Sequence, residues 1–166
     1  MFGRTCVLVV GVLFSSGGVA VANPIASEIL RARQAPETRH VQLTYGHDAG
    51  DEVLKEASAR LKSALRGADV IGRLGGEEFA VVLTACPPDG GPYVAERLRI
   101  LLSVRPMRLA DGQTLKVTGS IGGTSVAAGA HCTLEEVLKQ ADQALYAAKH
   151  AGRNRVIWYG NGEPQG

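Results

Sequence analysis

The regular part of the chain begins near residue 50, where apolar positions recur at helical spacing. In the segment GDEVLKEASARLKSALRG, apolar residues are three or four positions apart and charged residues lie between them, which is the pattern of an amphipathic helix. The apolar positions are Leu54, Ala57, Leu61 and Leu65. Gly67 follows them, and glycine is a common residue at a helix C-terminus. We therefore predict a helix that ends at Gly67.

The middle of the chain predicts a β-hairpin, a second helix and a strand. The segment ADVIGRLGGEEFAVVLT contains two runs of β-forming residues joined at Gly75 and Gly76, which indicates two strands and a tight turn. After the loop CPPDGGP, residues 94–102 have the apolar spacing of an amphipathic helix. The segment LKVTGSIGGTSV, rich in small and β-branched residues, predicts a further strand.

The C-terminal part of the chain completes the pattern with a helix and a strand. Thr133 and Glu136 have the spacing of a capping box, and Gly152 is a suitable end for the helix that follows. The segment RVIWY then predicts a last strand. The order helix, hairpin, helix, strand, helix, strand is typical of an α/β fold of the α+β sandwich type, in which helices flank a central mixed β-sheet.

The first 40 residues lack this regularity and leave several interpretations open. An early arginine, an apolar run from Cys6 to Phe14 and small residues up to Ala22 outline a secretory signal or membrane anchor. The run RTCVLVVGVLF is equally suited to a buried strand, and the segment could also precede the true domain. We divide the chain into an N-terminal segment at 1–40, a domain at 41–160 and a tail at 161–166.

The composition is that of a globular protein, and its net charge argues neither for nor against a nucleic-acid partner. The net charge is +2 over 166 residues, no basic tract is present, and aromatic residues make up 5% of the chain. A base-stacking platform for single strands is therefore not indicated, and we predict no DNA or RNA partner. The three cysteines, Cys6, Cys86 and Cys132, have no metal-binding spacing and indicate isolated thiols.

Two adjacent carboxylates, Glu77 and Glu78, directly follow the glycine turn. A turn without side chains lets a ligand approach the backbone, and a carboxylate beside it can hold Mg²⁺ that bridges to substrate phosphates. A second carboxylate could accept a proton from an attacking hydroxyl. Lys149 and Arg153, four residues apart, could bind the phosphates. The alternative is that the acids are exposed on a hairpin and the basic residues only complement a helix dipole.

The segment GGEEF at 75–79 is the signature of the GGDEF family, the diguanylate cyclases, in one of its common forms. Other segments resemble successive family motifs in the same order and spacing. They are TYGHDAGDEVL at 44–54, RGAD at 66–69, AERLR at 95–99, SIGG at 120–123 and ADQALYAAKHAGRNRV at 141–156. The resemblance covers residues 42–157. It implies a central sheet wrapped by helices, related to the palm of nucleotidyl cyclases and polymerases.

The resemblance implies a reaction and a set of site residues. Two GTP molecules, one on each of two facing domains of a homodimer, condense to cyclic di-GMP with release of pyrophosphate, and Mg²⁺ or Mn²⁺ is the cofactor. Glu78 is implied as a metal ligand and Glu77 as a group near the attacking hydroxyl. The implied substrate-binding residues are Gly75, Gly76, Asp51, Gln42, Lys149 and Arg153. Asp51 would accept hydrogen bonds from guanine, and Lys149 and Arg153 would hold the terminal phosphates.

A second, product-binding site is implied by the RxxD motif of the family. Arg66 and Asp69 match this motif, and Arg97 matches a further arginine that a neighbouring protomer supplies. Arginine suits this role because its planar guanidinium pairs bidentately with phosphate and with the Hoogsteen edge of guanine. The alternative for Arg66 and Asp69 is a simple ion pair at a helix end.

The resemblance stops upstream of Thr44, and one expected carboxylate is missing there. A count without gaps puts Gln34 at the position of the first metal-binding aspartate, and Gln42 where the family has a guanine-binding asparagine. A neutral amide attracts Mg²⁺ far less than a carboxylate. The alternative function is therefore a degenerate GGDEF domain that acts as a c-di-GMP receptor. Because GTP is cytoplasmic, we expect a cytoplasmic protein, with membrane association through residues 6–22 as an alternative.

Overall fold

A computed structural model of the chain describes residues 4–12, 42–87, 89–127, 130–160 and 163–165. The strands of its main sheet are β1 (Arg4–Val12), β2 (Val70–Gly75), β3 (Glu78–Cys86), β6 (Gly119–Val126), β7 (Val156–Gly160) and β8 (Glu163–Gln165). Two short strands, β4 (Met107–Arg108) and β5 (Thr114–Leu115), form a separate ribbon. The described helices are α1 (Gln42–Ser63), α2 (Gly90–Ser103) and α3 (Leu134–His150).

The six-stranded sheet has the order β2-β3-β1-β6-β7-β8. Only β6 and β7 pair in parallel, and all other neighbours are antiparallel. This confirms the predicted mixed sheet with flanking helices. The main connection between the parallel strands is α3, as expected because parallel neighbours need a long crossover.

Strand β1 lies in the middle of this sheet, between β3 and β6. This is the arrangement that the strand interpretation of the N-terminal run predicts. Cys6 is fully buried in the core. Segment 13–41, which includes Ala22 and Gln34, lies outside the described residues, so the boundary at residue 40 stays a prediction. Within the described ranges, no helix is long and apolar enough to cross a membrane.

The helices cover the two faces of the sheet because side chains alternate along each strand. Phe79, Val81 and Leu83 of β3 pack in one core cluster with residues of α1 and α2, such as Leu61 and Leu98. On the opposite face, apolar residues of the hairpin pack against α3. They are Leu74 and Ala80, with Ala141 and Leu145 of the helix. The sheet is thus the middle of three layers.

The local signals predicted most elements, with shifted ends. The capping box of α3 is formed as predicted, with Thr133 accepting from the Glu136 backbone N–H and Glu136 accepting from the Thr133 N–H. Helix α1 starts before the predicted position and ends at Ser63, not at Gly67. Beyond Ser63 the chain forms tighter turns, since the Ala64 and Leu65 N–H groups bond three residues back. Strands β4 and β8 had no sequence signal, and the strand predicted from Leu115 is divided, because Leu115 ends β5 and β6 begins at Gly119.

Gly122 of β6 lets α3 approach the sheet closely. A Cβ atom there would overlap the backbone nitrogen of Leu145 and the carbonyl oxygen of Ala141, and helix backbone cannot move aside as a side chain can. We therefore expect Gly122→Ala to lower the free energy of unfolding by about 3 kcal/mol, measured by urea denaturation. Gly67→Ala is the control, because a Cβ at Gly67 meets nothing within 4 Å. Equal midpoints for the two variants would contradict this packing.

Candidate functional site

The turn between β2 and β3 is built from two glycines with positive φ. Gly75 has φ 148° and Gly76 has φ 52°, values that favour glycine because it has no Cβ. A Cβ at Gly75 would meet no atom within 4 Å, so the backbone conformation, not lack of space, requires glycine there. The exposed turn leaves its backbone accessible to a ligand.

Arg73 holds this turn in place. Its Nε donates to the Gly76 carbonyl oxygen at 2.8 Å, and its Nη2 donates to the same oxygen. The pKa of Arg73 lies below its ordinary value because burial penalises the charged form, and the nearby negative charge of Asp51 acts in the opposite direction. Arg73 therefore holds the glycine turn and lies within the electrostatic influence of Asp51 on α1. It was not predicted as a site residue, although it lies three residues before Gly76.

Glu78 and Lys149, two of the predicted site residues, form an ion pair. The Lys149 Nζ atom lies 3.1 Å from Glu78 Oε1, and the side chains are 31% and 26% exposed, respectively. Glu78 opens β3 and lies on the α3 face of the sheet, because it alternates with Ala80, which packs against that helix. Glu77 is half-buried in the turn itself. The two acids thus lie in different elements, Glu78 in the strand and Glu77 in the turn.

Asp51 lies on α1, on the other side of the turn. Its Oδ1 atom is buried and accepts no hydrogen bond from the described part of the chain. A buried carboxylate oxygen without a donor is costly, because burial removes the water that would otherwise solvate it. Such an atom is therefore suited to accept a hydrogen bond from a ligand. The glycine turn is flanked by Asp51 and Arg73 on one face of the sheet and by Glu78 and Lys149 on the other.

Arg153 lies in a strained turn that ends α3. Three successive residues, Gly152, Arg153 and Asn154, have φ of 109°, 59° and 45°. The Arg153 N–H donates to the Ala148 carbonyl at 3.0 Å, the bond that characterises a Schellman motif at a helix end. This turn leaves the Arg153 side chain exposed, one helical turn beyond Lys149. Both predicted phosphate-binding cations are therefore at the same end of α3.

The strand beside Glu78 carries no acid. In the register of β1 and β3, Glu78 is paired with Gly11, and Gly11 is paired on its other side with Ser120 of β6. None of the residues of β1 is Asp or Glu. Gln42 is the first residue of α1, whereas Gln34 lies outside the described ranges. Among the described residues, no group of three or more His, Cys, Asp or Glu could hold a metal ion.

The predicted product site is a compact turn between α1 and β2. Asp69 Oδ2 accepts from the Arg66 backbone N–H at 2.9 Å and lies 3.4 Å from Arg66 Nε, and its Oδ1 lies 3.4 Å from the Thr84 backbone nitrogen. The Asp69 side chain is 3% exposed and that of Arg66 is 57% exposed. Arg97 reaches the same turn within one chain, where its Nη2 donates to the Ala64 carbonyl. A contribution of Arg97 across a dimer stays a prediction.

The fold is that of a mixed α/β domain whose central sheet is flanked by helices, and comparison with known proteins gives the family. A family model described as diguanylate cyclase, GGDEF domain, matches residues 39–155. The chain belongs to the GGDEF family. The response regulator PleD of Caulobacter vibrioides is 45% identical over 115 residues, which are 69% of this chain and 25% of PleD. The diguanylate cyclase DgcP of Pseudomonas aeruginosa is 44% identical over 112 residues, 68% of this chain and 16% of DgcP.

Solved structures support the same family. The GGDEF domain of YfiN (TpbB) from Pseudomonas aeruginosa is 27% identical, with a TM-score of 0.72 over 95% of this chain and 83% of that chain. The diguanylate cyclase SiaD of the same organism, solved with its activator SiaC, is 30% identical with a TM-score of 0.69, over 93% of this chain and 50% of that one. The chain spans a quarter or less of PleD and DgcP, so their whole-protein activities are not transferred with the fold.

Proposed function

We propose that this chain is a diguanylate cyclase domain that binds GTP at the glycine turn. Facing a second copy in a homodimer, it condenses two GTP into c-di-GMP and pyrophosphate. The observation that carries the proposal is Asp51 Oδ1, which is buried and has no hydrogen-bond partner among the described residues. Guanine presents two adjacent N–H donors on one edge, whereas adenine lacks this pair, so a carboxylate without a donor selects for guanine. Because GTP is the substrate, we propose a cytoplasmic location.

In this proposal, the guanine base binds on one side of the turn and the phosphates bind on the other. Asp51 binds the base, the open backbone at Gly75 and Gly76 lets the nucleotide lie close, and Lys149 and Arg153 neutralise the phosphates. The 3′-hydroxyl of one GTP attacks the α-phosphorus of the other, and the bond from this phosphorus to the pyrophosphate oxygen breaks. Glu77 accepts the proton of the attacking hydroxyl. Catalysis of this kind depends on positioning and charge neutralisation.

The described residues fit Mg²⁺ or Mn²⁺ only in part. Glu78 would be the protein ligand, and the metal would supply positive charge to the transferring phosphoryl group. Across from Glu78, β1 offers Gly11 and no carboxylate. Mg²⁺ sites with one or two carboxylates are completed by substrate phosphates. Glu78 is therefore suited to bind a cation whose other ligands are oxygens of the nucleotide phosphates.

The activity is tested by mass spectrometry of the product. The purified chain is incubated with GTP and Mg²⁺, and c-di-GMP is quantified alongside the variants Glu78→Ala and Arg66→Ala. The second variant removes product inhibition, which could otherwise hide turnover. Product from the parent that is absent with Glu78→Ala supports the proposal. Lack of product from both the parent and Arg66→Ala overturns the catalytic part of it.

A c-di-GMP receptor is the second candidate, and the pairing of Glu78 with Gly11 favours it. A metal site with one carboxylate weakens catalysis but leaves the Arg66 turn intact. In this role Arg66, Asp69 and Arg97 bind c-di-GMP, while GTP turnover is absent. Binding of c-di-GMP without turnover, measured by calorimetry, would establish the receptor in place of the enzyme.

Arg66 and Asp69 should respond differently to substitution. Arg66 is exposed, so we expect Arg66→Ala to weaken c-di-GMP binding by about tenfold or more with little change in stability. Asp69 is buried and holds the turn, so Asp69→Ala should also lower the free energy of unfolding by about 1–3 kcal/mol. Calorimetry and thermal denaturation measure the two effects. Lys62→Ala, at an exposed residue of α1, is the control. Unchanged binding with Arg66→Ala would exclude this site.

A further inference from the structure

Glu78 is the only carboxylate in a row of three residues that crosses the centre of the sheet. Residues that are directly opposite in an antiparallel pair project to the same face, with Cβ atoms about 4.5–5.5 Å apart. Glu78, Gly11 and Ser120 are opposite one another in successive strands, so they share the face that α3 covers. The Ser120 Oγ atom is a neutral hydroxyl oxygen, and it accepts the Asn154 N–H at 3.2 Å. Gly11 contributes no side chain to the row.

The negative charge of Glu78 is already paired with the positive charge of Lys149. Lys149 Nζ lies 3.1 Å from Glu78 Oε1, and both side chains are more than two-thirds buried. Positive charge this close opposes the approach of a second cation in a partly buried site. A hydrated divalent cation gives up its water reluctantly and needs several oxygen ligands to do so. One carboxylate that is paired with a lysine does not meet this requirement.

We propose that the described residues form no divalent-metal site until nucleotide binds, and that the glycine at position 11 is the reason. The cation enters together with the triphosphate, whose oxygens supply the ligands that β1 lacks, while Lys149 is drawn from Glu78 toward the phosphates. This inference rests on the proposed binding of GTP. The binding of metal and the binding of nucleotide are then coupled, so each ligand raises the affinity of the chain for the other by the same factor.

Mn²⁺ binding, followed by electron paramagnetic resonance of the free ion, tests the coupling without any turnover. Mn²⁺ alone is titrated into the parent chain and into Glu78→Gln, and both titrations are repeated with a non-hydrolysable GTP analogue. We expect the two chains to bind Mn²⁺ equally weakly without nucleotide. With the analogue, the parent should bind Mn²⁺ about tenfold or more tightly than Glu78→Gln does. The inference would be overturned if the parent bound Mn²⁺ without nucleotide and the Glu78→Gln substitution abolished that binding.

A second carboxylate at position 11 should create the missing site. We expect Gly11→Asp to bind Mn²⁺ without nucleotide, about tenfold or more tightly than Gly11→Asn does. The asparagine variant has the same shape without the charge, and thermal denaturation of both variants reports whether the strand tolerates a side chain. If Gly11→Asp folds but binds Mn²⁺ no more tightly than Gly11→Asn, the residue at position 11 does not determine the affinity for the metal. If either variant fails to fold, the comparison of the parent with Glu78→Gln still tests whether Mn²⁺ binding requires nucleotide.

The outcomes separate this inference from the proposed function. If the analogue does not bind to the parent, measured by calorimetry with and without Mn²⁺, the proposal that the chain binds GTP fails. If the analogue binds and the parent also holds Mn²⁺ at Glu78 without it, only the coupling fails. Binding of Mn²⁺ that requires both the analogue and Glu78 supports both.

Discussion

Glu78→Gln is expected to reduce the rate of c-di-GMP formation by about a hundredfold or more, which corresponds to about 2.7 kcal/mol of lost transition-state stabilisation. The substitution keeps the shape of the side chain and removes its charge. Glu78 is the only acidic residue in strands β1, β3 and β6, and its carboxylate is paired with Lys149. A neutral amide neither attracts a divalent cation strongly nor orients the ammonium group.

The loss of rate should not come from unfolding. A partly exposed ion pair contributes about 0.2–1 kcal/mol to stability, so Glu78→Gln should leave the chain folded. Product formation is measured by mass spectrometry and stability by urea denaturation. Glu135→Gln is the control, because Glu135 is an exposed acid in the first turn of α3. A Glu78→Gln variant that makes c-di-GMP at the parent rate would remove Glu78 from the mechanism.

Local sequence signals were sufficient for the elements that depend on local interactions. The glycine pair between two β-rich runs predicted the hairpin, and Thr133 with Glu136 predicted the start of α3. Both signals act over a few residues, since a turn and a capping box are closed by hydrogen bonds to near neighbours. The same holds for the RxxD turn, where Asp69 binds Arg66 three residues away. These features could be predicted without knowledge of the fold.

The N-terminal strand could not be assigned in this way. An apolar run of about ten residues suits a strand, a signal sequence or part of a membrane anchor, and periodicity does not distinguish them. What places Arg4–Val12 is pairing with β3 and β6, which are more than 65 residues away along the chain. The structural similarity to YfiN covers 95% of the chain, whereas the sequence similarity to PleD covers 69%.

The site could be predicted only where its residues belong to continuous motifs. Glu78 and Lys149 were predicted from separate motifs, and the structure brings them together. Arg73 was missed because its role follows from the face of β2 on which it lies and from its contact with Gly76. Gly11 was missed because a residue without a side chain gives no chemical signal. Its importance follows only from the register that places it opposite Glu78.

Asp51→Ala is expected to weaken GTP binding by about thirtyfold, or about 2 kcal/mol, while ATP binding changes little. In the proposed complex, the Asp51 carboxylate accepts the two N–H donors of guanine, and adenine makes no equivalent pair of bonds. The ratio of GTP to ATP affinity should therefore fall by a similar factor. Calorimetry with non-hydrolysable analogues of both nucleotides measures it. Glu56→Ala, at an exposed acid on the same helix, is the control.

The stability of Asp51→Ala separates a ligand-binding role from a structural one. Asp51 Oδ1 is buried and has no hydrogen-bond donor among the described residues, so we expect the carboxylate to cost free energy that alanine does not. The variant should therefore be at least as stable as the parent toward urea, even though it binds GTP less well. A carboxylate that served mainly to anchor Arg73 would give the opposite result, because its removal would leave a buried cation with less compensating charge and lower the stability. Loss of stability with unchanged nucleotide selectivity would therefore assign Asp51 to the fold and not to the guanine site.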